Sequence, residues 1–119
     1  MKRHYHQLEK PCLRVRVLWG GHILAETCDV ISLKEVGKKV YDPVFYVSKE
    51  DIRMDLLTPS STRTKCPIKG EASYWNLTAK DKTVKDIAWS YEQPIEYSKP
   101  IQGRLAFDTN RVIIELIPF

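Results

Sequence analysis

The sequence is short of the residues that mark familiar chemistries. Cysteine occurs three times, at Cys12, Cys28 and Cys66, an odd count with no close pair. Disulfide frameworks use even sets, and zinc sites use paired Cys or His at short spacing. Histidine is equally scarce: His4 and His6 sit near the N-terminus and His22 stands alone. No structural metal is expected, and no cofactor. Asp-x-Asp, His-x-x-Glu-His and Gly-x-Ser-x-Gly are missing, so metal-dependent phosphoryl transfer and serine hydrolysis have no sequence support. No apolar run approaches the ~18–20 residues of a membrane span. Lys2, Arg3 and His4 precede no apolar stretch of the kind a signal peptide carries. These absences predict a cytoplasmic protein without a membrane partner.

What is present describes one ordinary globular domain. The chain has 119 residues, 43% hydrophobic and 29% charged, which suffices for a single core without metal or disulfide. Nineteen Lys and Arg against fifteen Asp and Glu give +4. That mild excess suits an anionic partner without identifying one. Apart from the first few positions the basic residues are scattered, whereas a dedicated nucleic-acid face concentrates them.

Residues 1–12 are polar and basic and read as a flexible arm or an edge segment, leaving 13–119 as a single β domain. From Leu13 to Trp19 apolar residues alternate in the period-2 pattern of a half-buried strand, and Gly20-Gly21 permit a tight turn into a second strand over residues 22–26. Further strands are expected over 29–33 and 44–47, with a turn at Gly37-Lys38-Lys39. Ser48 and Asp51 resemble a capping box, with Ile52 and Leu56 on one face, predicting one short helix that Pro59 ends. Residues 60–70 read as loop. Strands over 72–78 and 83–89 follow, joined at Lys80-Asp81-Lys82, and a last hairpin pairs 103–107 with 112–117. Seven or eight short strands predict a mainly β, antiparallel, barrel-like or tent-like sheet.

The sharpest local feature is the run from Thr64 to Trp75. Lys69 offers a point charge and three donors, and Gly70 permits a bend or a close approach. The order Lys-Gly before a strand reverses the Walker arrangement and excludes a phosphate loop. Cys66 lies between Lys65 and Lys69, which would favour a thiolate nucleophile, although a small buried residue is the commoner role of cysteine. Its one candidate partner in the ordered region is His22. Tyr74 and Trp75 point to opposite faces, while Trp89 and Tyr91 share one, as befits cleft walls or core. Asp86, between Val84 and Ala88, is expected to pair with Arg14 or Arg16 or to serve a function.

Together, Arg53-Met-Asp-Leu-Leu-x-Pro59, Thr62-Arg-Thr64, Cys66-Pro-x-Lys-Gly-x-Ala-x-Tyr-Trp75, Ala88-Trp-Ser-Tyr91, Pro94 and Ile101-x-Gly103 with Ala106-Phe107 resemble the family called domain of unknown function 427. The resemblance spans about residues 13–117. It implies a small bacterial protein of compact tent-like β fold. Some classifications attach a nucleotidyltransferase-like label, yet the spaced acidic pair for magnesium is missing here. Two positions depart from the pattern: Phe45-Tyr-Val-Ser48 stands where aromatic-aromatic-x-Pro is frequent, and Asp108 stands where tyrosine commonly follows Ala-Phe.

The resulting expectation is a small-molecule or nucleotide-like ligand site at residues 64–70, floored by Tyr74, Trp89 and Tyr91. Lys69 would neutralise an anionic group of the ligand, and Thr64 or Tyr74 would orient it. Lys69 and Cys66 are the candidate catalytic residues, and the sequence does not decide whether the protein is an enzyme. The alternative is a non-catalytic module binding nucleic acid or protein through the basic arm, Arg14, Arg16 and exposed aromatics.

Overall fold

The computed structural model describes residues 5–36 and 41–118. Ten strands occur in the order β1 (Tyr5–Glu9), β2 (Leu13–Trp19), β3 (His22–Thr27), β4 (Val30–Val36), β5 (Val44–Val47), β6 (Leu57–Cys66), β7 (Gly70–Ala79), β8 (Lys82–Ser90), β9 (Leu105–Phe107) and β10 (Ile113–Pro118). They form a seven-stranded sheet, β1-β4-β5-β9-β8-β7-β6, and a three-stranded sheet, β10-β2-β3. All the ladders are antiparallel. The protein is mainly β, and no helix among the described residues is long and apolar enough to cross a membrane.

Alternation builds two cores. Val15 and Val17 of β2 and Leu24 of β3 face Val47, Leu77, Leu105 and Phe107 of the larger sheet, sealing the space between the sheets. The opposite face of the larger sheet carries a second cluster of Leu33, Tyr46, Ala72, Tyr91, Ile101 and Ala106. A strand with both faces covered must be apolar throughout, as β9 is, with Leu105, Ala106 and Phe107 all buried. The larger sheet curls about the second cluster. His6 on edge strand β1 reaches the carbonyl of Ile68, in the turn between β6 and β7 at the far side of the same sheet.

Several expectations are corrected. Of the two readings of residues 1–12, the flexible arm is corrected for residues 5–9 in favour of the edge segment: they form an edge strand on β4, with register Tyr5↔Val36 to Glu9↔Ser32, and His6 within it is 1% exposed. The expected helix is two separate 3-10 turns, Lys49–Asp51 and Met54–Leu56, and Ser48 makes no side-chain cap. Ile52 between them is extended because it bridges Ala25, while the Arg53 amide donates to the Leu24 carbonyl at 2.7 Å. Backbone pairing to β3 thus overrides the helical pattern. Residues 60–66 are strand rather than loop: β6 is a sheet edge, so Ser61, Arg63, Thr64 and Lys65 are exposed while its backbone pairs with β7, and Ser60 alone of this stretch is buried. The last hairpin also fails to form. β9 lies between β5 and β8, and β10 crosses to pair with β2 in the other sheet. The expected turn at 37–39 lies outside the described residues.

Candidate functional site

The β6–β7 hairpin folds the Cys66–Gly70 segment over the inner face of the curled sheet. Lys69 donates its amide to the Cys66 carbonyl at 3.3 Å, closing the turn, and accepts the Ile95 amide at 2.9 Å. Gly70 has φ +112°, and a Cβ there would meet the backbone at Gln93, Pro94 and Ile95 at 3.4–3.5 Å. The positive φ favours glycine, while the approach of residues 93–95 would leave a Cβ at ordinary van der Waals distance.

Register then assembles the aromatic walls. Tyr74 on β7 pairs directly with Trp89 on β8, so both side chains share a face. Tyr91 and Tyr46 complete the wall, and Val44 adds an apolar patch. The resulting cleft of about 300 Å³ has Lys69 at one end, beside Tyr91, with the Nζ 5.8 Å from the ring centroid. Asp86 and Asp108 also line it.

Hydrogen bonds fix these walls. The Trp89 indole donates to the Tyr46 hydroxyl at 3.2 Å, and Thr64 Oγ1 and the Tyr74 hydroxyl lie 3.0 Å apart. Burial pushes the Tyr46 and Tyr91 hydroxyls well above the usual phenol range, so both remain protonated donors across the physiological range. Lys69 Nζ donates to Glu35 Oε1 at 2.8 Å, with side chains 12% and 25% exposed. The cation is therefore already matched by a carboxylate from β4.

The structure brings Lys69, Tyr74, Trp89 and Tyr91 to this one cleft. Thr64 touches it through Tyr74, and Gly70 supports it from behind by admitting residues 93–95. Cys66 is half-buried against the second cluster. No Cys66–His22 pair forms, because His22 belongs to the smaller sheet, where it stacks on Trp19 at 6.3 Å. Asp86 does not form the anticipated ion pair with Arg14 or Arg16, which are taken by Glu26 and Glu115 on the smaller sheet. Asp86 instead accepts Thr62 Oγ1 at 2.7 Å, and its own amide donates to Asn76 Oδ1, at a bulge where its φ is +56°. Burial raises its pKa, but hydrogen bonds from Ser60 and Thr62 and the charges of Lys85 and Arg111 more than offset this and hold it low.

Sequence reading misses Glu35, Tyr46 and His6. Glu35 falls just past the strand expected over 29–33 and Tyr46 within the short apolar run of 44–47, and their link to Lys69 and Trp89 exists only once the sheet curls. His6 Nε2 contacts Ser98 Oγ at 2.7 Å, and Ser98 Oγ donates to the Ile68 carbonyl at 2.9 Å. With that hydroxyl proton committed, Nε2 carries the proton donated to Ser98. Nδ1 is buried without a partner.

This arrangement predicts a pH dependence. Burial foremost, helped by the Lys69 charge, lowers the His6 pKa below 6.5, and the Ile68 carbonyl and Glu35 offset it only in part. An unfolded chain therefore takes up the proton first as pH falls below 6.5. Stability is full above that value and declines below it, by at most ~1.4 kcal/mol per pH unit, until the folded pKa is reached. Urea unfolding at pH 7.5 and 5.5 should show a loss that His6→Gln removes. Equal losses in the two proteins would refute the assignment.

The fold and cleft together define a small antiparallel β protein with an aromatic-walled, partly charged pocket at the mouth of a curled sheet. The family model described as domain of unknown function DUF427 matches residues 7–117, nearly the whole chain. The chain belongs to that family. No curated protein matches it. Among the described residues no group of His, Cys, Asp or Glu is arranged to hold a metal ion.

Proposed function

We propose that the cleft between the β6–β7 turn and the Tyr46–Tyr74–Trp89–Tyr91 wall binds a small planar molecule of nucleobase-like size. The observation that supports this reading is the convergence of Lys69, Tyr74, Trp89 and Tyr91 from three separate segments on one concavity. Its volume of about 300 Å³ falls at the small end of ligand pockets, which run from ~300 to ~1,000 Å³. Aromatic faces supply stacking area, and the protonated Tyr46 and Tyr91 hydroxyls are directed donors for a carbonyl or ring nitrogen. An anionic substituent on the ligand reaches Lys69 by sharing it with Glu35, so stacking and hydroxyl donors carry most of the recognition. The competing reading, a nucleic-acid module through Arg14 and Arg16, is weakened because both cations are matched by Glu26 and Glu115.

Thermal-shift screening with nucleobases, nucleosides and nucleoside monophosphates tests this. A probe at a hundred times its Kd should stabilise the wild type by about 2.7 kcal/mol. Tyr74→Phe should keep the fold and weaken binding several-fold, and Trp89→Leu should lose it. A panel that stabilises wild type and Trp89→Leu equally, or neither, would sink the proposal.

A further inference from the structure

β9 follows one neighbour and abandons the other. It pairs with β8 over three consecutive positions, Ser90↔Leu105 to Ala88↔Phe107. With β5 it shares a single pair, Val47↔Leu105. Beyond that pair, towards Pro43 on one strand and Asp108 on the other, no further pair is registered, and an opening lies where the two strands end. The Arg104 guanidinium donates to the Tyr46 carbonyl at 3.4 Å and to the Asp29 carbonyl at 3.1 Å, tying the start of β9 to the strands beside it.

A second cavity of about 560 Å³ occupies the opening, and it shares Val44, Trp89 and Asp108 with the tyrosine-walled cleft. Those three residues form a common waist. Away from the waist the lining changes character. Pro43, Phe45, Phe107, Ile114 and Leu116 give it a mainly apolar lining, with Tyr41, Asp42 and Thr109 adding polar groups. Phe45, Phe107 and Ile114 belong to or pack on the core between the sheets. The second cavity is therefore the open rim of that core, adjoining the first past the ends of β5 and β9. Leu116 projects towards the core side of β10, opposite Val15, yet remains 47% exposed. A large side chain on a core-facing position that stays this exposed marks apolar surface left uncovered.

Resting on the reading of the first cleft as a ligand site, we propose that its ligand is bipartite. A planar polar head lies among Tyr46, Tyr74 and Tyr91, and an apolar tail passes the Trp89 waist, past the ends of β5 and β9, into the chamber before Leu116. Neither cavity explains the other's chemistry alone. The first offers hydroxyls and a matched charge pair but little room, while the second offers room and hydrocarbon. The Trp89 indole, held by Tyr46, presents its ring to both. The ligand class is thus a substituted aromatic or heteroaromatic compound bearing an alkyl or aryl tail, rather than a bare base or a highly charged nucleotide.

Calorimetric titration with benzamide and 4-hexylbenzamide provides a matched pair differing only in the tail. Each methylene buried should tighten binding about fourfold, so a gain of at least tenfold is expected for the hexyl compound. Leu116→Trp, which fills the chamber from its exposed rim, should abolish the gain while leaving benzamide affinity unchanged. 1-Hexanol alone should shift the Ile114 and Leu116 methyl resonances of the wild type. If benzamide binds but the hexyl tail adds nothing, or its gain survives in Leu116→Trp, the two-part ligand is overturned and the first cleft stands. If neither benzamide binds, the cleft reading fails and the two-part ligand with it. The hexanol shifts then show whether the chamber exists as an independent apolar site.

Discussion

Replacing Glu35 with glutamine should lower the unfolding free energy by roughly 2–3 kcal/mol, among the largest losses from any single change of a charged residue in this chain. The reason is what remains behind. Lys69 Nζ is bonded to Glu35 at 2.8 Å, with a side chain only 12% exposed. Removing one partner of a well-enclosed pair strands the other, at a cost of about 3–5 kcal/mol when both are fully buried. Glu35, at 25% exposed, admits some water and places the expected loss below that range. Substituting both residues, Glu35→Gln with Lys69→Met, should recover much of the loss, because no charge is then left without a partner. A double-mutant cycle by urea denaturation measures this. Additive effects, with a coupling below ~0.5 kcal/mol, would show that the pair does not hold the β6–β7 turn to β4. The ion pair spans strands far apart in the sheet order, so its loss should also loosen the cleft.

Gly70→Ala should cost about 1–3 kcal/mol, from backbone strain. At φ +112° an L-residue sits where only glycine is comfortable. The added methyl itself would be accommodated, standing 3.4–3.5 Å from the backbone of Gln93, Pro94 and Ile95, an ordinary van der Waals contact. That segment is tied to the turn by the Ile95 amide donating to the Lys69 carbonyl, so strain at Gly70 should also loosen the cleft. Gly20 and Gly21 provide the internal comparison. Their φ values are also positive, and a Cβ at either position would meet no atom within 4 Å, so alanine there should cost a similar strain. Thermal unfolding that leaves Gly70→Ala as stable as the wild type would refute the strain. A φ of +84° at Gly21 makes the comparison a fair one.

The parts of the fold legible in the sequence share one property. They are strands whose faces differ in environment, so that alternation reports burial. β2 is the clearest case, with Val15 and Val17 buried between half-buried or exposed neighbours. β6 is illegible for the opposite reason. As an edge strand with a mostly solvated surface it carries Ser, Thr, Arg and Lys, and a polar run without alternation reads as loop. The helical pattern over 48–56 is locally sound, and it loses to backbone bonds with Leu24 and Ala25 that no local window contains. The final hairpin misleads because adjacency in sequence suggests adjacency in the sheet. The turn at Asp108–Arg111, closed by the Val112 amide to the Asp108 carbonyl, instead carries the chain from one sheet to the other.

The site divides in the same way. The motif around Lys69, Gly70, Tyr74, Trp89 and Tyr91 is recognisable from residue types and family pattern, and alternation places Trp89 and Tyr91 on one face. Alternation cannot show that Tyr46 joins them, that Arg14 and Arg16 answer Glu26 and Glu115 instead of Asp86, or that Asp108 reaches the cleft.

Read alone, the chain specifies a mainly β protein, the position of most of its strands and the turn on which its candidate site is centred. These follow from period-2 burial and from glycine at positive φ, both local properties of the backbone. Which charges meet, and where the sheet opens, is settled by tertiary packing. The curl of the larger sheet carries Glu35 to Lys69 and His6 to Ile68, and the ends of β5 and β9 bring two cavities together at Trp89. The hydrogen bonds that hold this curl link residues 30 to 92 positions apart in the chain, and no periodicity along the sequence encodes a distance closed by folding.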